Sequence, residues 1–352
     1  MRNLLFITNP NCGGAERMTL LYMKLLKSAG FNVRLCVCIN KGSEFNLKPF
    51  IPSDVQYDII SYQKYRYLIF KLIKYLWHQK SDVITTSLPL LAQPILILKT
   101  LSLIRSKVVY RECNMPSSHG IAEMRLSRIL YRHANVLISQ TMEMKEEMTK
   151  YYGVEDNDVI TINNPVDKDL IKQQIEESVA LDSNRINYMA CSRLSPQKDI
   201  PTMLKAFAVV RKTVPNAILY LIGKSDSEEY GMNLKSLACS LGISKYVKFV
   251  GFQANPYKYL KHADVFVLSS TYEGLPNVML EAMYLGKPVA VTACIPYISQ
   301  AVQTGVNGYL APVGDSNALA KAMVEAKDIK SLPQYKDIND SERIIVELFK
   351  KI

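Results

Sequence analysis

Short apolar runs alternate with helical stretches along almost the whole chain, and this alternation restricts the possible folds more than any other feature. Asn3–Ile7 is a strand-like run, followed by a loop with Gly13-Gly14 and a helix to about Ala29, where Gly30 stops it. Val33–Cys38, Val83–Thr86, Val108–Arg111 and Asn135–Ile138 repeat the pattern, with helical stretches between them. The alternation breaks at residues 161–167, where Asn163-Asn164-Pro165 is loop chemistry, because proline also restricts the residue before it. It restarts with strands at Ile186–Ala190, Ala217–Ile222, Val247–Val250, Val265–Leu268 and Pro288–Val291. Helices fall at Ile200–Val214, Glu228–Leu241 and, amphipathic, Ser341–Lys351. Parallel neighbours need a crossover, and a crossover helix covers one face of the sheet. The pattern therefore predicts an α/β chain of two Rossmann-like domains, their parallel sheets facing across a cleft. The expected boundaries are 1–165 and 166–335, with 336–352 a C-terminal helix packing back on the first domain. A chain of 352 residues suits this division, since single cores stop growing at roughly 250–300 residues.

Composition narrows the class. Apolar residues make up 48% and charged residues 21% of the chain, without a long biased tract, which excludes a disordered protein. The seven cysteines are odd in number and scattered, with no CxxC pair, so no metal cage or disulfide framework is read and a reducing, cytoplasmic compartment is expected. Cys36 and Cys38, two apart in an apolar run, should share one face of a strand. Met1–Pro10 is too soon interrupted by Asn9 and Pro10 to read as a signal peptide. Leu88–Ile104 is broken by Pro89, Gln93, Pro94 and Lys99 and reads as a buried helix, not a membrane span. The net charge of +11 is uneven: residues 61–133 hold twelve Lys and Arg against three acids. Such a region suits anionic lipid, a diphosphate or nucleic acid.

Ligands of open parallel sheets bind outside the carboxyl ends of the strands, so the loops there carry the functional candidates. After the first strand comes Asn9-Pro10-Asn11-Cys12-Gly13-Gly14-Ala15-Glu16-Arg17, where glycines before a helix let backbone N–H groups approach an anion. A tight turn is the competing reading. Cys191-Ser192-Arg193-Leu194-Ser195-Pro196-Gln197-Lys198 places two cations five apart across a turn, suited either to two phosphate groups or to a merely solvated loop. The sharpest pattern is Ser269–Ala282. It turns at Gly274 and Pro276 and enters a helix, with Glu273 in the loop and Glu281 about a turn into the helix. Each carboxylate can accept two hydrogen bonds from a vicinal diol, and the helix start offers N–H groups to a phosphate between them.

The stretch Glu273–Glu281 resembles the E-x7-E signature of the retaining GT-B glycosyltransferases of family 4. Gly13–Arg17, Asn163–Asp167, Arg193 with Lys198, Gly251-Phe252 with Asn255-Pro256, and Gly305–Gly308 with Pro312–Asp315 also have counterparts there. The resemblance covers nearly the whole chain and is thinnest over residues 41–80. It implies that Glu281 binds the nucleotide ribose, while Glu273 and the backbone from Gly274 through Leu275 and Pro276 to Asn277 hold the donor sugar. Arg193 and Lys198 would neutralise the diphosphate, Gly14 would bring an amide to it, and Gly223 and Phe252 belong to the nucleotide pocket. No metal or other cofactor is implied. Asp156-Asn157-Asp158 spells a DxD, but beside the interdomain joint it reads as an acidic turn.

Three departures stand out. Cys113 occupies the position where the family often has His. His119 lies nearby, either a substitute or, as loop histidines more often are, merely solvated. Lys224-Ser225-Asp226 follows Gly223 in place of a second glycine, and Gln300 aligns with a common Glu. Tyr65–Lys80 forms a basic helix with apolar Leu68, Ile69, Leu72, Ile73 and Leu76 at helical spacing, which suits either a core-facing helix or one lying on an anionic membrane surface. The expected function is retaining transfer of a hexose or N-acetylhexosamine from a nucleotide-sugar, UDP-linked, to a polyprenyl-diphosphate-linked glycan acceptor in surface polysaccharide (O-antigen or capsule) synthesis. The enzyme is expected peripherally on the inner face of the cytoplasmic membrane. A transferase with a soluble acceptor and a basic binding module without catalysis are the alternatives. Nucleic acid is not an expected partner, since no nucleic-acid motif is present.

Overall fold

A computed structural model of the chain describes residues 2–182, 184–335 and 340–352. Met1, residues 336–339, where the sequence places its last boundary, and the side chain of Glu123 lie outside the described residues. The chain forms two compact units, Met1–Pro165 with Asp337–Ile352, and Val166–Lys336.

The first unit runs β1 (Asn3–Thr8), α1 (Gly14–Ser28), β2 (Asn32–Asn40), β3 (Gln56–Tyr62), α2 (Tyr65–His78), β4 (Val83–Thr86) and α3 (Pro89–Thr100). It continues with β5 (Lys107–Arg111), α4 (Ile121–Leu130), β6 (Val136–Ser139), α5 (Met142–Glu147) and β7 (Val159–Thr161). Its sheet has the order β3-β2-β1-β4-β5-β6-β7, and every pair is parallel. The strand order reverses between β1 and β4, so the loop bearing Gly13-Gly14 opens at that switch point. Two strands escape the sequence reading: β3 is an edge strand with most side chains partly exposed, and β7 is only three residues long. Cys36 and Cys38 are both buried on β2.

The second unit runs α6 (Lys168–Gln174), β8 (Ile186–Cys191), α7 (Ile200–Thr213), β9 (Ala217–Ile222), α8 (Glu228–Ser240), β10 (Val247–Gly251) and α9 (Tyr257–Leu260). Then follow β11 (Val265–Leu268), α10 (Asn277–Tyr284), β12 (Val289–Thr292), α11 (Pro296–Ala301), β13 (Gly308–Ala311) and α12 (Ser316–Ala326). Its parallel sheet has the order β10-β9-β8-β11-β12-β13, and the reversal falls between β8 and β11. The strand β13 is disguised in sequence by its opening glycine. A Cβ on Gly308 would stand 2.3 Å from the Val289 carbonyl oxygen, so the approach of β13 to β12 requires glycine there.

The last helix, α13 (Ser341–Lys351), returns to the first unit, where Phe349 stacks on Phe6 with ring centroids 6.4 Å apart. Arg2 donates to the carbonyls of Phe349 and Lys350 at 3.0 and 2.8 Å. Right-handed crossovers place α1 on one face of the first sheet, and α2, α3 and α4 on the other, because those three connections all step toward β7. The cores agree: Met18, Leu21 and Met23 of α1 share a cluster with Ile345 and Phe349 of α13. Leu68, Leu72 and Leu76 of α2 share another with the residues of α3. The apolar stripe that the sequence offers to a membrane is therefore turned inward, with Ile69 and Ile73 half-buried beside it. Of residues 88–104, Pro89–Thr100 form the largely buried helix α3, in contact with α2 and α4 and with Pro94 accommodated inside it, while Leu90, Leu101 and Leu103 are exposed. Among the described residues no helix is long and apolar enough to cross a membrane.

Candidate active site

The switch point of the second sheet gathers most of the residues singled out in sequence. The loop after β8 and the loop after β11 leave adjacent strands in diverging directions, and they are stitched together by backbone and side-chain bonds. Thr271 N–H donates to Gln197 O at 2.9 Å, Gln197 Nε2 to Tyr272 O at 2.9 Å, and Ser269 Oγ to Lys198 O at 2.7 Å. This stitching brings Lys198 and Glu273 together. The Lys198 ammonium donates to Glu273 Oε1 in an ion pair whose side chains are 16% and 7% exposed. Ser270 Oγ donates to the same carboxylate oxygen at 2.6 Å. A carboxylate this buried needs such partners to offset its lost hydration.

Glu273 is followed by buried Gly274, Leu275 and Pro276 and half-buried Asn277, the first residue of α10. Pro276 supplies no side-chain cap, so the helix opens toward the loop without a capping group. Glu281 stands on the second turn, half-buried, and accepts a hydrogen bond from Tyr257 Oη at 3.1 Å. Tyr257 was not foreseen: it follows Asn255-Pro256 in sequence, and nothing in that spacing announces a partner on α10.

Arg193 is not drawn into the Lys198–Glu273 pair. Its side chain is 71% exposed and stands 3.6 Å from Asp226, in the loop after β9. That loop is tied to the first by Leu194 N–H donating to Lys224 O at 2.9 Å and Asp226 N–H donating to Leu194 O at 3.0 Å. Gly223 makes the approach possible, since a Cβ there would meet the Ser192 carbonyl oxygen at 1.8 Å, and its φ is +145°. Phe252 is largely exposed just past β10, and Gln300 is exposed on α11.

In the first unit, Gly14 opens α1, and the Gly13 N–H donates to the buried Glu16 carboxylate at 3.0 Å. Beyond β5 the structure corrects the expectation of a solvated His119. Its side chain is 6% exposed, and its Nε2 stands 3.6 Å from Glu112 Oε1. Glu112 is fully buried and accepts from Tyr110 Oη at 3.0 Å, Tyr152 Oη at 2.8 Å and the Cys113 N–H at 2.8 Å. Burial alone would raise its pKa. The nearby His119, with the bonds from Tyr152 and the Cys113 amide, holds it below the usual carboxylate range instead. Cys113 is the opposite case: burial pushes its thiol up to about 11, past the lowering effect of Arg111, and the thiol donates to Ser87 O at 3.1 Å. A protonated thiol with a satisfied donor is no nucleophile. Sequence reasoning missed this cluster because Tyr152 lies forty residues from Glu112. Asp156 of the DxD sits in an exposed turn and pairs with Lys145 at 2.9 Å.

Two all-parallel Rossmann-like units, each with glycine-bearing or charged loops at its switch point, define a GT-B architecture. The family model Glycosyltransferase Family 4 matches residues 12–170, and the model Glycosyl transferases group 1 matches residues 171–342. The chain belongs to this family of GT-B enzymes and is a glycosyltransferase. An uncharacterized glycosyltransferase of Methanocaldococcus jannaschii is 30% identical over 47% of this chain and 42% of that protein. The UDP-Gal:alpha-D-GlcNAc-diphosphoundecaprenol alpha-1,3-galactosyltransferase of Escherichia coli is 24% identical over 92% of this chain and 87% of that protein. Among solved structures, HepE of Anabaena in complex with UDP-glucose has a TM-score of 0.83 at 20% identity, covering 100% of both chains. At that identity it is the fold that is shared.

Proposed function

We propose that the enzyme transfers a hexose or N-acetylhexosamine from a UDP-sugar to a polyprenyl-diphosphate-linked glycan, with retention of anomeric configuration. The observation that carries this reading is the Lys198–Glu273 pair at the switch point of the second unit, with Glu281 bound to Tyr257 on the helix that leaves the same loop. Glycosidic cleavage leaves negative charge on the departing nucleoside diphosphate. Lys198, with Arg193 at the loop edge and amides at the start of α10, stabilises that charge where it develops, and no metal is required. Glu273 accepts sugar hydroxyls while keeping Lys198 aimed. Glu281, steadied by Tyr257, accepts the ribose diol, and Gly223 and Phe252 border the base. The name of the E. coli relative, which states a UDP-sugar donor and a diphosphoundecaprenol acceptor, supports the substrate classes. Retention follows from the E-x7-E resemblance.

A calorimetric titration of UDP against wild type and Glu281→Ala, with GDP and ADP as controls, tests the donor site. Selective UDP binding lost in the variant is expected, since removing a charged hydrogen-bond acceptor costs about 1.5–3 kcal/mol. Glu273→Ala should mainly lower turnover. Unchanged UDP affinity in Glu281→Ala, or undiminished turnover in Glu273→Ala, would remove the assignment. Turnover that survives exhaustive chelation is expected of a site that uses no metal.

A further inference from the structure

The outward side of α2 carries a second apolar stripe that no core uses. Leu68, Leu72 and Leu76, spaced by four, are buried against the sheet and α3. Tyr67, Phe70 and Trp77, at steps of three and seven, fall on the opposite side of the helix. Phe70 is 69% and Trp77 66% exposed. Arg66 and Lys74 lie among them, both exposed, and no acidic residue occurs from Ser61 to Ser81. On the same face of the sheet, beyond α3, α4 exposes Leu126 and Ile129 beside Arg125 and Arg128. The other face bears α1 and is packed by α13.

A helix with apolar side chains on both sides is at home where both sides meet non-aqueous material. The inner side has the core. For the outer side, the residue types decide between a protein and a bilayer. Protein interfaces are depleted in lysine at their centres, whereas tryptophan and tyrosine interleaved with Lys and Arg mark the headgroup region, where aromatic rings sit and cations meet anionic lipid. We infer that the outer surface of α2 and α4 docks on an anionic bilayer, with Phe70, Trp77 and Ile129 entering the headgroup boundary and the flanking cations contacting lipid phosphates. This deepens the proposed reading, on which its purpose rests: an acceptor with a polyprenyl anchor is presented at such a surface.

Trp77 is the one tryptophan of the sequence, so its emission reports this contact directly. The full chain is titrated with vesicles of phosphatidylglycerol and phosphatidylcholine, and with phosphatidylcholine alone, at low and high salt. The expected result is a blue shift and quenching by brominated acyl chains with the anionic vesicles, weakened by salt and absent with the zwitterionic ones. Phe70→Ser with Ile129→Ser should reduce partitioning by about tenfold or more and leave UDP affinity unchanged. Unshifted emission with the protein remaining in the supernatant at low salt overturns the proposal. So does a shift produced by a DNA duplex and not by vesicles. Vesicle binding without UDP binding would sink the donor-site assignment and support the docking surface, so the two failures are distinguishable.

Discussion

Residues 1–165 carry 21 Lys and Arg against 13 Asp and Glu, whereas residues 166–352 carry 22 against 19. Of the large apolar side chains exposed among the described residues, twelve fall between Tyr57 and Met142, and only six in the second unit. Both units use a parallel sheet with one switch point, so the topology does not make this difference. In the second unit the charged side chains of interest sit at the carboxyl edge: Lys198 and Glu273 pair there, and Glu281 follows on the next helix. In the first unit the carboxylate at the end of β5, Glu112, is turned inward and fully buried. Its unusual surface lies on the outer sides of helices instead. Topology fixes where a loop or helix face is presented; residue choice decides which of those places is chemically loaded.

Glycine substitutions test how rigidly each edge is built. Gly223→Ala sets a Cβ against backbone at a φ that side chains rarely adopt, and neither strand can yield. A loss of about 5 kcal/mol or more, or failure to fold, is expected in thermal or urea unfolding. Gly13→Ala in the first unit meets only the Glu16 carboxylate tip, at 2.9 Å, which can swing aside. About 1 kcal/mol is expected there. Equal losses would mean that the first edge is as tightly determined as the second.

The buried carboxylate of the first unit is the next largest effect. Glu112→Ala removes the carboxylate that accepts from the Tyr110 and Tyr152 hydroxyls and faces His119, at about 3–5 kcal/mol. The pH dependence has a definite sign. The folded pKa of Glu112 lies below its ordinary value, so its contribution is complete above about pH 4.3 and is lost as pH falls through the lower folded value. Wild-type midpoints should therefore fall more steeply with acid than those of Glu112→Gln. Parallel curves for the two proteins would show that Glu112 is not the ionised, stabilised group described above.

These cases also show what a sequence can disclose. Glu273 and Glu281 were legible because their pattern is local: a buried strand, a Gly-Pro turn and eight residues of spacing on one loop and helix. Lys198 was legible as a cation near a strand end, although its pairing with Glu273 spans 75 residues and only the sheet order reveals it. Tyr257, Tyr152 and the burial of His119 depend on tertiary neighbours that no short window contains. The edge strand β3 was missed because its exposed alternation lacks a continuous apolar run.

The helix α2 is the sharpest instance, since a period of 3.6 residues marks two stripes without saying which one the core takes. Leu72 is fully buried and Trp77 is 66% exposed, one on each side of the same helix. Leu72→Ala should cost about 2–4 kcal/mol, through lost burial and a cavity the sheet cannot close. Trp77→Ser should change stability by no more than about 0.5 kcal/mol, because two thirds of the residue is already exposed in the folded chain. Chemical denaturation of the two variants, followed by circular dichroism, compares them directly. A loss for Trp77→Ser as large as that for Leu72→Ala would place the outer stripe inside the folded packing. The excess of exposed apolar groups in the first unit would then no longer point to a surface outside the chain.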